Sequence, residues 1–261
     1  MERIQEILFL VLGQLALGGT AILSLPSLKE AGLPFYRVNG IVLMTSLLLG
    51  IGIGGPASLL RWPPLYGAFI LLLFIYNLRL WFRRPTSSAL LLRVAALFGA
   101  VGITLSFIID YSHGVSVLRG FWLSSYVIIS SLLLGAGVLA MLLGHRYLTQ
   151  RISIAPLLQL TKIFMALIFI EGLFAIINLG VALPSERIWN AFLLNSFEGL
   201  YLWIRFAIGV IGPMILAPMI LKTVQLESTM AATGLLYVAM LMVIIGALFS
   251  RFFFLVDVNL I

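Results

Sequence analysis

Two charged residues stand inside long apolar runs, Glu171 within 157–180 and Arg205 within 199–221. An ionisable side chain at mid-bilayer costs a few kcal/mol even on the lowest scales, so such residues face a partner, a cavity or a ligand. A carboxyl there can exchange a proton, and a guanidinium can hydrogen-bond a carbonyl oxygen. Gln14, inside the first apolar run, offers an amide for the same purpose. The plainer alternative is an ion pair between Glu171 and Arg205 that stitches two helices together.

The elements that must position these groups are membrane spans. Of 261 residues, 62% are hydrophobic and only 10% are charged, with mean hydropathy +1.17. A soluble domain carries about a quarter charged residues. Apolar runs long enough to cross a bilayer recur along the chain. They predict an all-α polytopic bundle of eight transmembrane helices at 7–25, 39–60, 64–82, 89–110, 121–143, 157–180, 199–222 and 230–253. The connections are too short for a soluble domain, so residues 1–261 read as one transmembrane domain. The first run lacks a small-x-small cleavage site before its polar loop, and reads as a retained helix rather than a signal peptide.

Basic residues set the orientation. The odd connections hold Lys29, Arg37, Arg79, Arg83, Arg84, Arg93, Arg146, Arg151 and Lys222; the even connections and termini hold Arg3, Arg61, Arg119, Arg187 and Arg251. The positive-inside rule then puts the odd loops in the cytoplasm and both termini outside. On that topology Gln14, Glu171 and Arg205 share a layer roughly 10–14 Å beneath the outer surface, counted at the helical rise. Asp110, His113, Glu198 and Arg251 fall just above it. Asp110 and Glu198 are candidates for a proton route. So is His145, which ends helix five on the cytoplasmic side, although an interfacial anchor is the plainer reading of it. A polar zone on one side of the bilayer suits a quinone headgroup or a proton path.

Other chemistries find little support. There is no cysteine, which excludes disulfides and cysteine ligation of zinc or iron–sulfur clusters by this subunit. The two histidines, His113 and His145, fall near opposite faces, so no haem and no metal is expected in this chain. No nucleophile–base constellation or phosphate loop is present. The net charge of +7 comes from arginines at helix ends, where they meet lipid headgroups rather than nucleic acid. Gly50, Gly52, Gly54, Gly55, Gly135 and Gly137 predict close helix packing. Gly212-Pro213 and Pro218 predict a kink in helix seven, or an unwound transport site.

Phe9-Leu10-Val11-Leu12-Gly13-Gln14 followed by Gly18-Gly19 resembles the opening of the membrane anchor subunit of dimethyl sulfoxide reductase, a family related to the polysulfide reductase type of anchor. Gly246, Arg251 and the run Phe252-Phe253-Phe254 are similar to that family's closing helix, and Trp203-x-Arg205 to its Trp-Arg stretch. The resemblance implies an anchor in the bacterial cytoplasmic (inner) membrane that exchanges electrons and protons with menaquinone or ubiquinone near the outer face. It also implies an iron–sulfur electron-transfer subunit and a catalytic redox subunit as partners. Where the family carries a quinol-site histidine after helix two, this chain has Leu59-Leu60-Arg61-Trp62-Pro63-Pro64, which leaves Arg61 and Trp62 as the candidates there. The expected roles are therefore Glu171 as proton-exchanging group, with Gln14, Arg205, Arg61 and Trp62 around the quinone. A structural subunit without its own chemistry, or a small-solute transporter, are the competing expectations.

Overall fold

Inside a bilayer every backbone polar group must be satisfied within the protein, and this chain does so with helices. The computed structural model describes residues 2–25, 30–60, 64–82, 88–111, 117–150 and 153–256. Among them stand α1 (Glu2–Leu23), α2 (Gly32–Leu60), α3 (Pro64–Phe82), α4 (Ser88–Tyr111), α5 (Val117–Tyr147) and α6 (Ala155–Ala182). Two short helices follow, α7 (Glu186–Phe192) and α8 (Phe197–Trp203). A π-helical segment, Ile204–Ile211, then leads into α9 (Gly212–Gln225), and α10 (Thr229–Val256) closes the chain.

Seven helices among the described residues are long and apolar enough to cross a membrane. α8, the π segment and α9 count as one of these, running from Phe197 to Gln225. The fourth expected span is the exception: its apolar stretch, Ala89–Leu105, is shorter than the others. The protein is thus a polytopic, all-helical integral membrane protein. Its outward faces are apolar, as at Leu71, Phe74, Leu78 and Trp81 on α3.

α5 lies at the centre, packed against α1, α4, α6 and α10. Small residues let it sit there. Gly135 meets the backbone of Gly18 and Gly19, and Gly18 meets the carbonyl of Ser131, so α1 and α5 touch main chain to main chain. Gly209 and Gly246 do the same for the π segment and α10. Dispersion and close packing drive helix association in lipid, which makes such glycines the strongest local determinants of the crossing. Gly50 seats against Phe9 and Leu12, and Gly137 faces Phe164 and Met240. Gly52 differs from expectation: it has no neighbour within 4 Å on its open side and serves no interface there.

The Gly212-Pro213 pair does not unwind the chain, which stays helical from Phe197 to Gln225. Proline lacks an N–H and crowds the carbonyl four residues back, which is that of Gly209. The helix responds by widening, and the Gly212 N–H bonds the Ala207 carbonyl, five residues back. Such π turns are frequent at functional sites. This one carries Arg205.

The α6–α8 corner contains a helix the apolar runs did not announce. α7 ends with Leu194 at φ 61°, and the Asn195 N–H reaches back to the Asn190 carbonyl at 2.8 Å. That is the bond pattern of a Schellman stop, with leucine where glycine is usual. Trp203 Nε1 donates to the Phe192 carbonyl at 3.0 Å and holds α7 against α8.

Candidate functional site

Five segments converge on one buried cluster, and Tyr126 of α5 is its hub. Arg205, on the π segment, donates from Nη2 to the Tyr126 hydroxyl at 3.2 Å. That hydroxyl also shares a 2.9 Å hydrogen bond with Ser250 of α10. It donates a longer bond, 3.5 Å, to Glu171 Oε1 on α6. Ser130, one turn along α5, donates to the same carboxylate oxygen at 3.4 Å. Beside them Arg251 of α10 donates from Nε to Gln14 Oε1 on α1 at 3.0 Å.

The charges lie against an aromatic face. The Arg251 guanidinium is 5.4 Å from the centre of the Tyr126 ring and that of Arg205 is 6.0 Å away. Arg205 also sits 5.6 Å from the Phe206 ring. Cation–π attraction of this kind is strongest where water is excluded. Water is excluded here: Arg251 is 0% exposed, Gln14 1% and Arg205 2%.

Satisfaction is incomplete. Arg251 Nη1 and Nη2, Gln14 Nε2 and Glu171 Oε2 are buried with no hydrogen-bond partner among the described residues. Buried polar groups without partners are rare in native proteins and call for a reason. The four atoms belong to a single cluster, and three of them are donors.

Of the trio expected from sequence, Gln14, Glu171 and Arg205 all belong to this cluster. Their pairing differs from expectation. Arg205 is bound to Tyr126 rather than directly to Glu171. Access is also uneven. Arg205 and Gln14 are closed off, whereas Glu171 is half-buried at the α5–α6 seam, flanked by the outward-facing Ile170 and Leu173.

Arg61 and Trp62 lie outside the described residues, as does His113, and Asp110 falls in the last turn of α4 with its side chain outside them. Glu198 is held at the surface by Arg187, whose Nε donates to Oε2 at 2.9 Å and whose Nη2 takes Oε1. His145 is exposed at the far end of α5, roughly 28 Å along the helix from Tyr126 at the helical rise.

Sequence reasoning did not single out Tyr126, and placed Arg251 just outside the layer to which it belongs. The signal for Tyr126 is the spacing of Trp122, Tyr126 and Ser130, which puts three polar-tipped side chains on one face of α5. The structure extends that face. Trp122 donates to Asn178 Oδ1 at 2.7 Å and stacks on Phe174 at 4.4 Å, and Phe174 leans on Tyr126 at 6.0 Å. A polar and aromatic column thus runs from Asn178 down the α5–α6 seam to the cluster.

Among the described residues no three His, Asp or Glu side chains gather as a metal site would require. No protein-family model, curated protein or solved structure matches the chain. What fold and site define together is an integral membrane helical bundle with a charged, incompletely satisfied centre.

Proposed function

We propose that this chain is the membrane anchor subunit of a respiratory redox complex, of the dimethyl sulfoxide reductase anchor type, and that the Tyr126-centred cluster binds quinone. One observation carries the reading. Four segments bring two guanidiniums, an amide and a carboxylate around Tyr126 of α5 and leave three donors and one acceptor without partners. A quinone carbonyl accepts hydrogen bonds from such donors, and quinol releases a proton with each electron it gives up. Glu171, at the seam with its Oε2 unpartnered, is the group suited to receive that proton.

Quinone reaches the cluster from lipid, and Glu171 stands where α5 and α6 face it. The column of Asn178, Trp122 and Phe174 borders the same seam. Electrons pass to or from an iron–sulfur partner, which in turn serves a catalytic redox subunit. The chain spans the bacterial cytoplasmic membrane eight times with both termini on the outer face, α4 supplying the eighth span.

A second reading has its own support. Arg205 is closed off and the Gln14 carbonyl is already engaged by Arg251, as they would be in a subunit whose polar centre only holds helices together. Glu171→Gln separates the two, because it keeps the side chain's shape and removes its charge. In assembled complex from native membranes, the variant retains its iron–sulfur partner and loses most quinone-linked turnover if the cluster is a quinone site. Unchanged turnover in correctly assembled complex leaves only the scaffold.

A further inference from the structure

The cluster is not electrically balanced. It holds two guanidiniums, Arg205 and Arg251, against one carboxylate, Glu171, and the other polar side chains bonded within it, Gln14, Tyr126, Ser130 and Ser250, are neutral. Burial of this depth makes an unmatched cation costly, and the Tyr126 ring offsets only part of that cost. The imbalance is also local. Arg251 is the fully buried one, and both its terminal nitrogens lack partners, whereas Arg205 is anchored on the Tyr126 hydroxyl. The free hydrogen-bonding capacity is correspondingly lopsided: Arg251 Nη1 and Nη2 and Gln14 Nε2 donate, and only Glu171 Oε2 accepts.

We propose that this site selects an anionic ring oxygen, with Arg251 as the residue that recognises it. The ligand class is an aromatic dioxygen compound carrying one ionised oxygen, of the hydroxyquinone type. Its oxyanion lies against the Arg251 guanidinium and the Gln14 amide, and a neutral quinone of the same size binds more weakly. The inference rests on the quinone-site reading and adds the charge preference. A planar guanidinium with two unused N–H-bearing nitrogens is the side chain best shaped to take adjacent oxygens.

Two probes of nearly equal shape test it. A 2-hydroxy-3-alkyl-1,4-naphthoquinone is ionised at neutral pH, and its 2-methyl counterpart, with a methyl group in place of the hydroxyl, is neutral. Binding of each is measured by titration calorimetry on the full chain in phosphatidylcholine nanodiscs, with protein-free nanodiscs subtracted. The ionised probe is expected to bind about 10- to 100-fold more tightly, the range for a hydrogen bond to a charged group. Arg251→Gln should abolish the preference. Glu171→Gln removes the one opposing charge and should widen it, which keeps the proposal testable if the Arg251 variant does not fold. Saturable and equal binding of both probes by the wild-type chain overturns the charge preference and leaves the quinone site standing. A preference that Glu171→Gln narrows, or that Arg251→Gln leaves intact in folded protein, overturns the assignment to this cluster. No saturable binding of either probe overturns the quinone-site reading, and this inference with it.

Discussion

Gln14 and Arg251, 237 residues apart, join the first long helix to the last through a 3.0 Å hydrogen bond at full burial. The bond is the only one the Arg251 side chain makes among the described residues, and it uses Nε alone. Gln14→Leu therefore strands a buried guanidinium. Losing a buried hydrogen bond to a charged group costs about 1.5–3 kcal/mol, whereas replacing both partners with apolar residues of similar size is close to neutral. Gln14→Leu is expected to lower the thermal midpoint in detergent by several degrees, and Gln14→Leu with Arg251→Leu to recover most of it. A double variant less stable than Gln14→Leu alone would show that the contact of Arg251 with the Tyr126 ring outweighs the cost of burying its charge.

Among the described residues Tyr126 is the one side chain hydrogen-bonded to Arg205, Ser250 and Glu171 together. Tyr126→Phe keeps the ring, and with it the two cation–π contacts, while deleting the hydroxyl. Interhelical hydrogen bonds in membrane proteins average about 0.6 kcal/mol, so loss of this hub should cost about 1–2 kcal/mol. Unfolding in mixed micelles measures that difference. A cost below the average for a single bond would mean the hydroxyl is not the hub its geometry describes.

The α1–α5 crossing depends on Gly135 and Gly18, where the two backbones meet. A side chain at Gly135 would overlap the main chain of Gly18 and Gly19, which cannot rotate away as a side chain could. Gly135→Leu is expected to abolish the monodisperse folded protein on size-exclusion chromatography. Gly52→Leu faces open space and should behave as wild type, which controls for the added bulk.

Apolar periodicity is easy to read because a bilayer admits few alternatives: the run 64–82 coincides with α3, 7–25 overruns α1 by two residues, and the others lie inside helical stretches that extend one to seven residues further at an end. Gln14, Glu171 and Arg205 were legible for the same reason: polarity in an apolar run has to be resolved inside the bundle. Arg251 was harder, because near the end of α10 it counts as a flanking charge. Side chains on a helix tilt toward its N-terminus, so Arg251 leans back into the bundle and reaches the layer of Gln14. Tyr126 carries no charge, and hydropathy gives no reason to separate it from the apolar residues around it. The π segment leaves no periodic trace, since a single widened stretch shifts the pattern by less than the scatter between residues.

Glu227 closes α9 in the left-handed region at φ 54°, and the Ser228 N–H bonds the Thr223 carbonyl at 3.0 Å. The position is exposed and lies between the last two spans. A non-glycine residue held there costs about 1–2 kcal/mol relative to its preferred conformations, and glycine avoids that at some loss of chain entropy. Glu227→Gly should raise the thermal midpoint slightly, by about 0.5–1 kcal/mol in stability. Glu227→Ala, which gains no access to positive φ, should not.

Orientation is the last prediction, and the structure sharpens its arithmetic. Arg37 of α2 donates to the Leu80 carbonyl of α3 at 3.1 Å, and Arg146 of α5 donates to the Ala31 carbonyl before α2 at 2.7 Å. The start of α2, the end of α3 and the end of α5 therefore lie on one face, which is the face of the odd connections. Arg251 is buried in the bundle and drops out of the opposing count, leaving Arg3, Arg61, Arg119 and Arg187 there. The excess of arginine and lysine on the odd face is thus larger than the linear sequence suggests, and the positive-inside rule places that face in the cytoplasm. Reporter fusions at residues 84 and 150 are expected to read cytoplasmic and a fusion at 115 external. The reverse pattern would turn the protein over and move the cluster to the cytoplasmic half of the bilayer. A fusion at 115 on the same side as one at 84 would mean that α4 does not cross.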